Sequence, residues 1–177
     1  MQESSLGVNV GACYLNSDLS GSGFSIKTGD VKQRTMNPTR DVPIFTSLLN
    51  KLSRDINKTP VSCWIAAYSK GQPSGWGGAM GPSQFIPSTW VLFENRIKSA
   101  TNSSLADPWN PAHAITATAL YLSDLGAVSG NEVAERNAAC KYYSGRSCSS
   151  SSAGAGYGNS VMKKLYSMQQ DIDKLQR

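Results

Sequence analysis

This sequence predicts a mostly α-helical fold with long loops, and three observations carry that prediction. Apolar residues recur at helical spacing in several separate segments. Those segments carry helix start and stop residues at their ends. No stretch sustains the apolar–polar alternation of a half-buried strand, which confines β-structure to a small hairpin within the loops.

Taken in order, residues 8–40 are rich in Gly, Ser, Asn and Thr with little periodicity, and read as loop or short irregular pieces. Asp41-Val42-Pro43 then opens a helix: Asp41 can cap, Pro43 suits the first turn, and Ile44, Phe45, Leu48, Leu49, Leu52 and Ile56 recur on one face. A second loop covers 57–87 and holds Gly71, Gly75, Gly77, Gly78 and Gly81. Ser88 is the predicted N-cap of a helix carrying Trp90, Val91, Phe93 and Ile97. The best-punctuated helix follows, with Asn110 as cap, Pro111 as first residue and Gly126 as stop after Ile115, Leu122 and Leu125. Ser129-Gly130-Asn131-Glu132 reads as a capping box leading into a helix through Tyr142 and Tyr143. The Ser- and Gly-rich stretch 147–158 reads as loop.

The last segment places Val161, Leu165, Met168, Ile172 and Leu175 at alternating four and three spacings. That is a heptad seam under three heptads long, and a terminal helix docked on the core is preferred over a coiled coil. The domain reading is therefore one domain over 1–158 and a C-terminal amphipathic helix over 159–177, packed on it or leading to a further segment. Loops of this length are uncommon in a compact domain unless they serve a function, so they predict a binding cleft.

Composition narrows the partners. A chain of 177 residues has room for one ordinary domain, and 40% hydrophobic with 16% charged residues supports a core rather than disorder. Seventeen basic against 12 acidic residues give a net charge of +5. The basic residues are scattered, which argues against nucleic acid as partner and leaves a surface drawn to anionic polymers, cell wall included. No apolar run approaches the ~18 residues of a membrane span. The opening Met1-Gln2-Glu3-Ser4-Ser5-Leu6-Gly7 has neither the basic nor the apolar region of a signal peptide.

Four cysteines, Cys13, Cys63, Cys140 and Cys148, form no C-x-x-C pair, and the single His113 is distant in sequence, which argues against zinc. An even count suggests disulfides and an oxidising compartment outside the cytoplasm. Of the three connectivities, Cys140–Cys148 with Cys13–Cys63 is favoured, because the first pair closes a short Ser-rich loop. The competing reading is four buried free thiols in a cytosolic chain.

Glutamate occurs only as Glu3, Glu94, Glu132 and Glu135. Glu132 and Glu135 fall in a helix first turn, and Glu94 lies among Asn95, Arg96 and Lys98 on a solvated face. Glu3 stands apart, with Leu6 three residues on and Gly7 as a helix stop. A carboxylate on the last turn of a helix beside a loop-built cleft has the setting of a general acid, although spacing alone favours an ordinary helical glutamate.

The run Gly78-Ala79-Met80-Gly81-Pro82-Ser83-Gln84-Phe85-Ile86-Pro87-Ser88-Thr89-Trp90 resembles the G-A-M-G-x-x-Q-F-M-P-S-T-W segment of bacterial peptidoglycan lytic transglycosylases, the membrane-bound B type in particular. Asp107-Pro108-Trp109-Asn110-Pro111-Ala112-His113-Ala114-Ile115 is similar to the family's following D-P-x-D-P-x-D-A-I stretch. Gln2-Glu3-Ser4 resembles the catalytic glutamate with its small neighbour, and Tyr142-Tyr143-Ser144-Gly145 the late Y-N-x-G turn. The order is the family's, and the likeness covers most of the chain, thinly between residues 8 and 70.

The resemblance implies a lysozyme-like fold over 1–158, N-terminally truncated, with a cleft for peptidoglycan glycan strands. It implies Glu3 as the single acid/base, Ser4 as its small neighbour at the substrate, Gln84 lining the sugar cleft with Met80 packed beside it, and Tyr121 and Tyr142 as substrate-side tyrosines. The competing readings are Gln84 tying its own loop by hydrogen bonds, Met80 as pure packing, and the two tyrosines as core aromatics. Phe85, Trp90 and Trp109 are assigned to the core, while Trp76 offers an aromatic face to a sugar as readily as to the core. Glycines at 77, 78 and 81 let backbone lie close to a glycan.

The implied reaction uses one glutamate twice. It protonates the oxygen between N-acetylmuramic acid and N-acetylglucosamine, then takes the proton of the muramoyl C6 hydroxyl as that oxygen attacks the anomeric carbon. The product is a 1,6-anhydro sugar. This differs from the paired carboxylates of ordinary glycoside hydrolysis. The sequence departs from the family at Gly75, where a serine is frequent (Ser74 adjoins it), and at Tyr143, where Asn is usual.

Glu3 lies two residues from the start, where the family has further helix, so the chain is expected to be a fragment: a monomeric, extracytoplasmic domain of a larger protein. Nothing in the sequence suggests a metal or organic cofactor. Two other readings remain open: a hydrolytic muramidase of the goose-type lysozyme kind, and a catalytically inactive wall-binding or assembly module of a phage tail or secretion machine.

Overall fold

Residues 8–40, too short of periodicity to read as strands, fold into three short antiparallel strands in the computed structural model: β1 (Cys13–Leu15), β2 (Gly23–Ser25) and β3 (Val31–Lys32), in the order β1-β2-β3. The structure describes residues 4–5, 7–65, 67–69, 71–150 and 152–176. Among them six α-helices make the fold α-rich, 47% helical, with this small sheet and a two-stranded hairpin, β4 (Ala67–Ser69) and β5 (Gln72–Ser74). The chain divides into two compact units, the first running through Ala117 and the second from Thr118.

In the first unit, strand periodicity is present but only over three residues: Cys13 and Leu15 are buried and Tyr14 is half-buried. Tyr14 stands opposite Phe24, and their rings meet edge to face at 5.6 Å. Gly23 has no alternative, because a Cβ there would strike the Tyr14 carbonyl and the Thr35 side chain.

Helix α1 (Val42–Lys51) buries Phe45, Leu48 and Leu49 of the predicted stripe together with Val42, while Ile44 and Leu52 are half-buried. It ends five residues before Ile56, which instead opens a 3-10 turn, Ile56–Lys58. Asp41 stands at the N-cap without capping. Its fully buried carboxylate accepts the Ser88 backbone N–H at 3.0 Å and the Arg40 guanidinium at 2.7 and 2.9 Å. The helix expected from Ser88 is two: α2 (Pro87–Trp90), capped at Ile86, and α3 (Glu94–Thr101). The turn between them leaves Val91 and Leu92 outward while Trp90 and Phe93 pack around Phe85, at 6.4 and 6.0 Å between ring centroids.

Helix α4 (Pro111–Asp124) starts where the sequence predicts: Asn110 Oδ1 accepts the Ala112 N–H at 2.9 Å. The last turn closes at Gly126, φ +96°, whose N–H reaches the Ser123 carbonyl at 2.9 Å. The unit boundary falls within α4.

The second unit holds α5 (Glu132–Ser144) and α6 (Ser152–Leu175). The cap of α5 sits two residues beyond Ser129: Asn131 Oδ1 accepts the Ala134 N–H at 3.0 Å, and Glu135 reaches back to the Gly130 N–H at 3.1 Å. The predicted loop over 147–158 is mostly helix, a 3-10 turn at Cys148–Ser150 and then the first two turns of α6. Its glycines are packing residues. Gly154 and Gly158 are buried one turn apart, and a Cβ at Gly158 would strike Cys140 Sγ and the Arg136 carbonyl of α5. Two disulfides are present, Cys13–Cys63 and Cys140–Cys148, the favoured connectivity.

Candidate functional site

Four pieces of chain lie side by side in the first unit as single bridges, Cys13 to Val61, Val61 to Met80 and Met80 to Phe85. Val61 N–H donates to the Cys13 carbonyl at 2.8 Å, Ser62 N–H to Ala79 at 2.8 Å, and Gly78 N–H to Ser62 at 2.9 Å. The Cys13–Cys63 disulfide pins the same segment to β1. Two glycines make this close approach possible. A side chain at Gly77 would strike the backbone of residues 62–64, and one at Gly81, φ +57°, the Pro108 carbonyl. These glycines therefore serve the approach of the chain's own backbone, whereas Gly75 faces open space beside Trp64.

Between the paired segments lies a cavity of about 570 Å³, lined by Asn9, Ser62, Cys63, Trp64, Ser74, Gly75, Trp76 and Gln84. Its volume falls in the roughly 300–1,000 Å³ range of small-molecule sites. The hairpin β4–β5 separates Trp64 from Trp76 in sequence and returns both to the cavity wall. Trp64 is fixed by its Nε1–H, which donates to the Ser74 carbonyl at 2.9 Å. Arg34 sits against both indoles, its guanidinium 4.3 Å from the Trp76 centroid and 5.5 Å from that of Trp64, and its Nε–H donates to the Gly75 carbonyl at 2.8 Å. Such a wall pairs flat apolar faces with hydroxyl and amide groups, the combination that fits a sugar ring's apolar face and its polar rim.

Gln84 is half-buried on this wall, at φ +54°. Its Nε2–H donates to the Gly81 carbonyl at 2.7 Å, which ties its loop and leaves Oε1 as an acceptor. Met80 is fully buried and belongs to the core. Ser4 is also fully buried, its Oγ accepting the Gly7 N–H at 3.0 Å in a turn that leads to Asn9. Glu3 lies outside the described residues. Phe85 and Trp90 are core residues as expected. Trp109 is half-buried: its Nε1–H donates to the Pro60 carbonyl at 3.0 Å, and the Arg54 guanidinium lies 4.9 Å from its ring.

The Asp107-to-Pro111 stretch is structural. Asp107 takes the Arg54 guanidinium at 2.7 Å and the Trp109 N–H at 2.9 Å, and His113 Nδ1 accepts the Asp107 N–H at 3.0 Å. His113 Nε2 lies 3.1 Å from the Ser103 hydroxyl. Among the described residues no group of three or more His, Cys, Asp or Glu could hold a metal ion, and no helix is long and apolar enough to cross a membrane.

In the second unit Tyr121 of α4 and Tyr142 of α5 come together, ring centroids 5.2 Å apart. Tyr157 of α6 stacks on Tyr143 at 4.8 Å and on Tyr142 at 6.4 Å. The cluster thus joins Tyr121, Tyr142 and Tyr143, all named in the sequence, with Tyr157, which the sequence places in a loop. In the first unit, sequence reasoning missed Trp64, Asn9, Ser62 and Arg34. The available signal was the pair of tryptophans bracketing Gly71, a turn-forming residue midway between them.

Compared with known proteins, the chain matches no family model, no curated protein and no solved structure.

Proposed function

We propose that this chain is a peptidoglycan lytic transglycosylase domain of lysozyme-like fold, acting outside the cytoplasm on glycan strands. One observation carries the reading: the 78–90 segment, whose sequence resembles the family motif, supplies Gln84 to a cavity walled by Trp64 and Trp76. Asn9, six residues after Glu3 in the sequence, lines the same cavity. The two disulfides support an oxidising compartment.

In this reading the indoles take the apolar faces of the sugars and Gln84 Oε1 accepts from a sugar hydroxyl or acetamido N–H. Glu3, protonated, gives its proton to the glycosidic oxygen as the bond to the anomeric carbon breaks. The resulting carboxylate then takes the proton of the muramoyl C6 hydroxyl as that oxygen closes on the anomeric carbon. Glu3 ends protonated again, one bond has formed for one broken, and no water is consumed.

The test uses soluble glycan strands with the wild-type chain, Glu3→Gln and Trp76→Ala. Cleavage by the wild type, binding without cleavage by Glu3→Gln, and weakened binding by Trp76→Ala support the reading. Binding without cleavage by the wild type as well would replace it with a wall-binding module.

A further inference from the structure

Helix α6 outlasts the unit it packs on. Its first half is seated against α5 at Gly158, beside Cys140 and Arg136, with Gly154 and Met162 also buried. From Lys163 to Gln176 every residue but the half-buried Met168 is exposed. The apolar seam nevertheless continues along that exposed half, with Leu165 and Ile172 each 46% and Leu175 88% exposed. At its root the seam opens into a groove of about 320 Å³, whose apolar wall includes Leu122, Val161, Met162 and Leu165. A helix end whose apolar stripe stays this exposed calls for a covering surface.

We propose that a second copy of this chain covers it, the two α6 helices pairing antiparallel. Charge along the seam selects that occupant and that direction. Lys164 and Asp171 flank the seam on one side, one heptad apart, while the other side carries Met162 and Gln169 and no charge. In an antiparallel pair like flanks face each other, so Lys164 meets Asp171 of the second copy, and two-fold symmetry makes the contact twice. A parallel pair sets unlike flanks together and matches Lys164 only with Gln169. An antiparallel pair shifted by one heptad opposes Asp171 with Asp171. The favoured register seats Leu165 on Met168 of the second copy and brings its Ile172 to Val161, at the mouth of the groove. The contact of Asp171 with Lys174 at 3.3 Å is an exposed pair one turn apart and competes weakly.

Sedimentation velocity of the full chain over about 1 µM to 1 mM tests this. The expected result is a reversible dimer, weakened at least about tenfold by Asp171→Lys, which sets like charges together twice, and restored by Lys164→Asp combined with Asp171→Lys. Ile172→Ser, an exposed position, should dissociate the dimer without loss of helix by circular dichroism. A chain that stays monomeric, a dimer indifferent to the charge exchange, or a monomer that binds phosphatidylserine vesicles through this face would each overturn the proposal.

Discussion

The Arg34 guanidinium lies 4.3 Å from the centroid of the Trp76 indole and is anchored by its Nε–H on the Gly75 carbonyl at 2.8 Å. In the proposed site a sugar gains most from a ring already held in place, and Arg34 packs on that of Trp76. Arg34→Ala should therefore weaken glycan binding by about 0.5–1 kcal/mol, the worth of a half-exposed cation–π contact. Trp76→Ala removes the stacking face itself and should cost more than Arg34→Ala. Calorimetric titration with a soluble glycan fragment measures both; equal affinities for all three proteins would remove these residues from the site.

Asp41 holds α1 to the segment that carries Gln84. Its buried carboxylate accepts the Ser88 N–H, and Asp41→Ala would leave that donor unsatisfied, at about 1–3 kcal/mol. Asp41→Asn keeps an acceptor oxygen and should lose less. Urea denaturation of the three proteins gives the order directly.

Two glycines of α6 should respond in opposite ways to alanine. At Gly158 a Cβ meets the Cys140 sulfur and the Arg136 carbonyl, so Gly158→Ala should destabilise by about 1–3 kcal/mol. At Gly156 nothing lies within 4 Å, so Gly156→Ala should stabilise by up to about 1 kcal/mol through helix propensity alone. Thermal unfolding separates the two signs.

The disulfides should differ in weight. Cys13–Cys63 spans 50 residues and Cys140–Cys148 spans 8, so loop entropy assigns them roughly 4 and roughly 2.5 kcal/mol. Because Cys63 also lines the cavity, replacing the first pair by alanines should lower glycan affinity as well as stability. Replacing the second pair should lower stability alone.

What the sequence revealed and what it concealed divide along physical lines. Long amphipathic helices with explicit caps were legible, as Asn110, Pro111 and Gly126 around α4 illustrate. The strands were not, since Cys13–Leu15 gives the alternation only one and a half periods. The 147–158 stretch misleads because glycine serves two purposes: freeing a loop, or admitting a neighbouring helix, as Gly158 admits Cys140. Gln84 could be picked out by its motif, but Trp64 meets Trp76 at the cavity through a hairpin, and Arg34 meets both indoles through a long-range contact, neither of which a local pattern encodes. Met80 and Ser4 are both fully buried, which local sequence does not specify.

Digestion of purified peptidoglycan, with the products weighed by mass spectrometry for the wild-type chain and for Glu3→Gln, tests the central claim most directly. Anhydromuramoyl products, lighter by one water than hydrolysis products and absent with Glu3→Gln, are the predicted result. Products with free reducing ends would contradict it and identify a hydrolytic muramidase, and anhydro products undiminished in Glu3→Gln would contradict the role of Glu3.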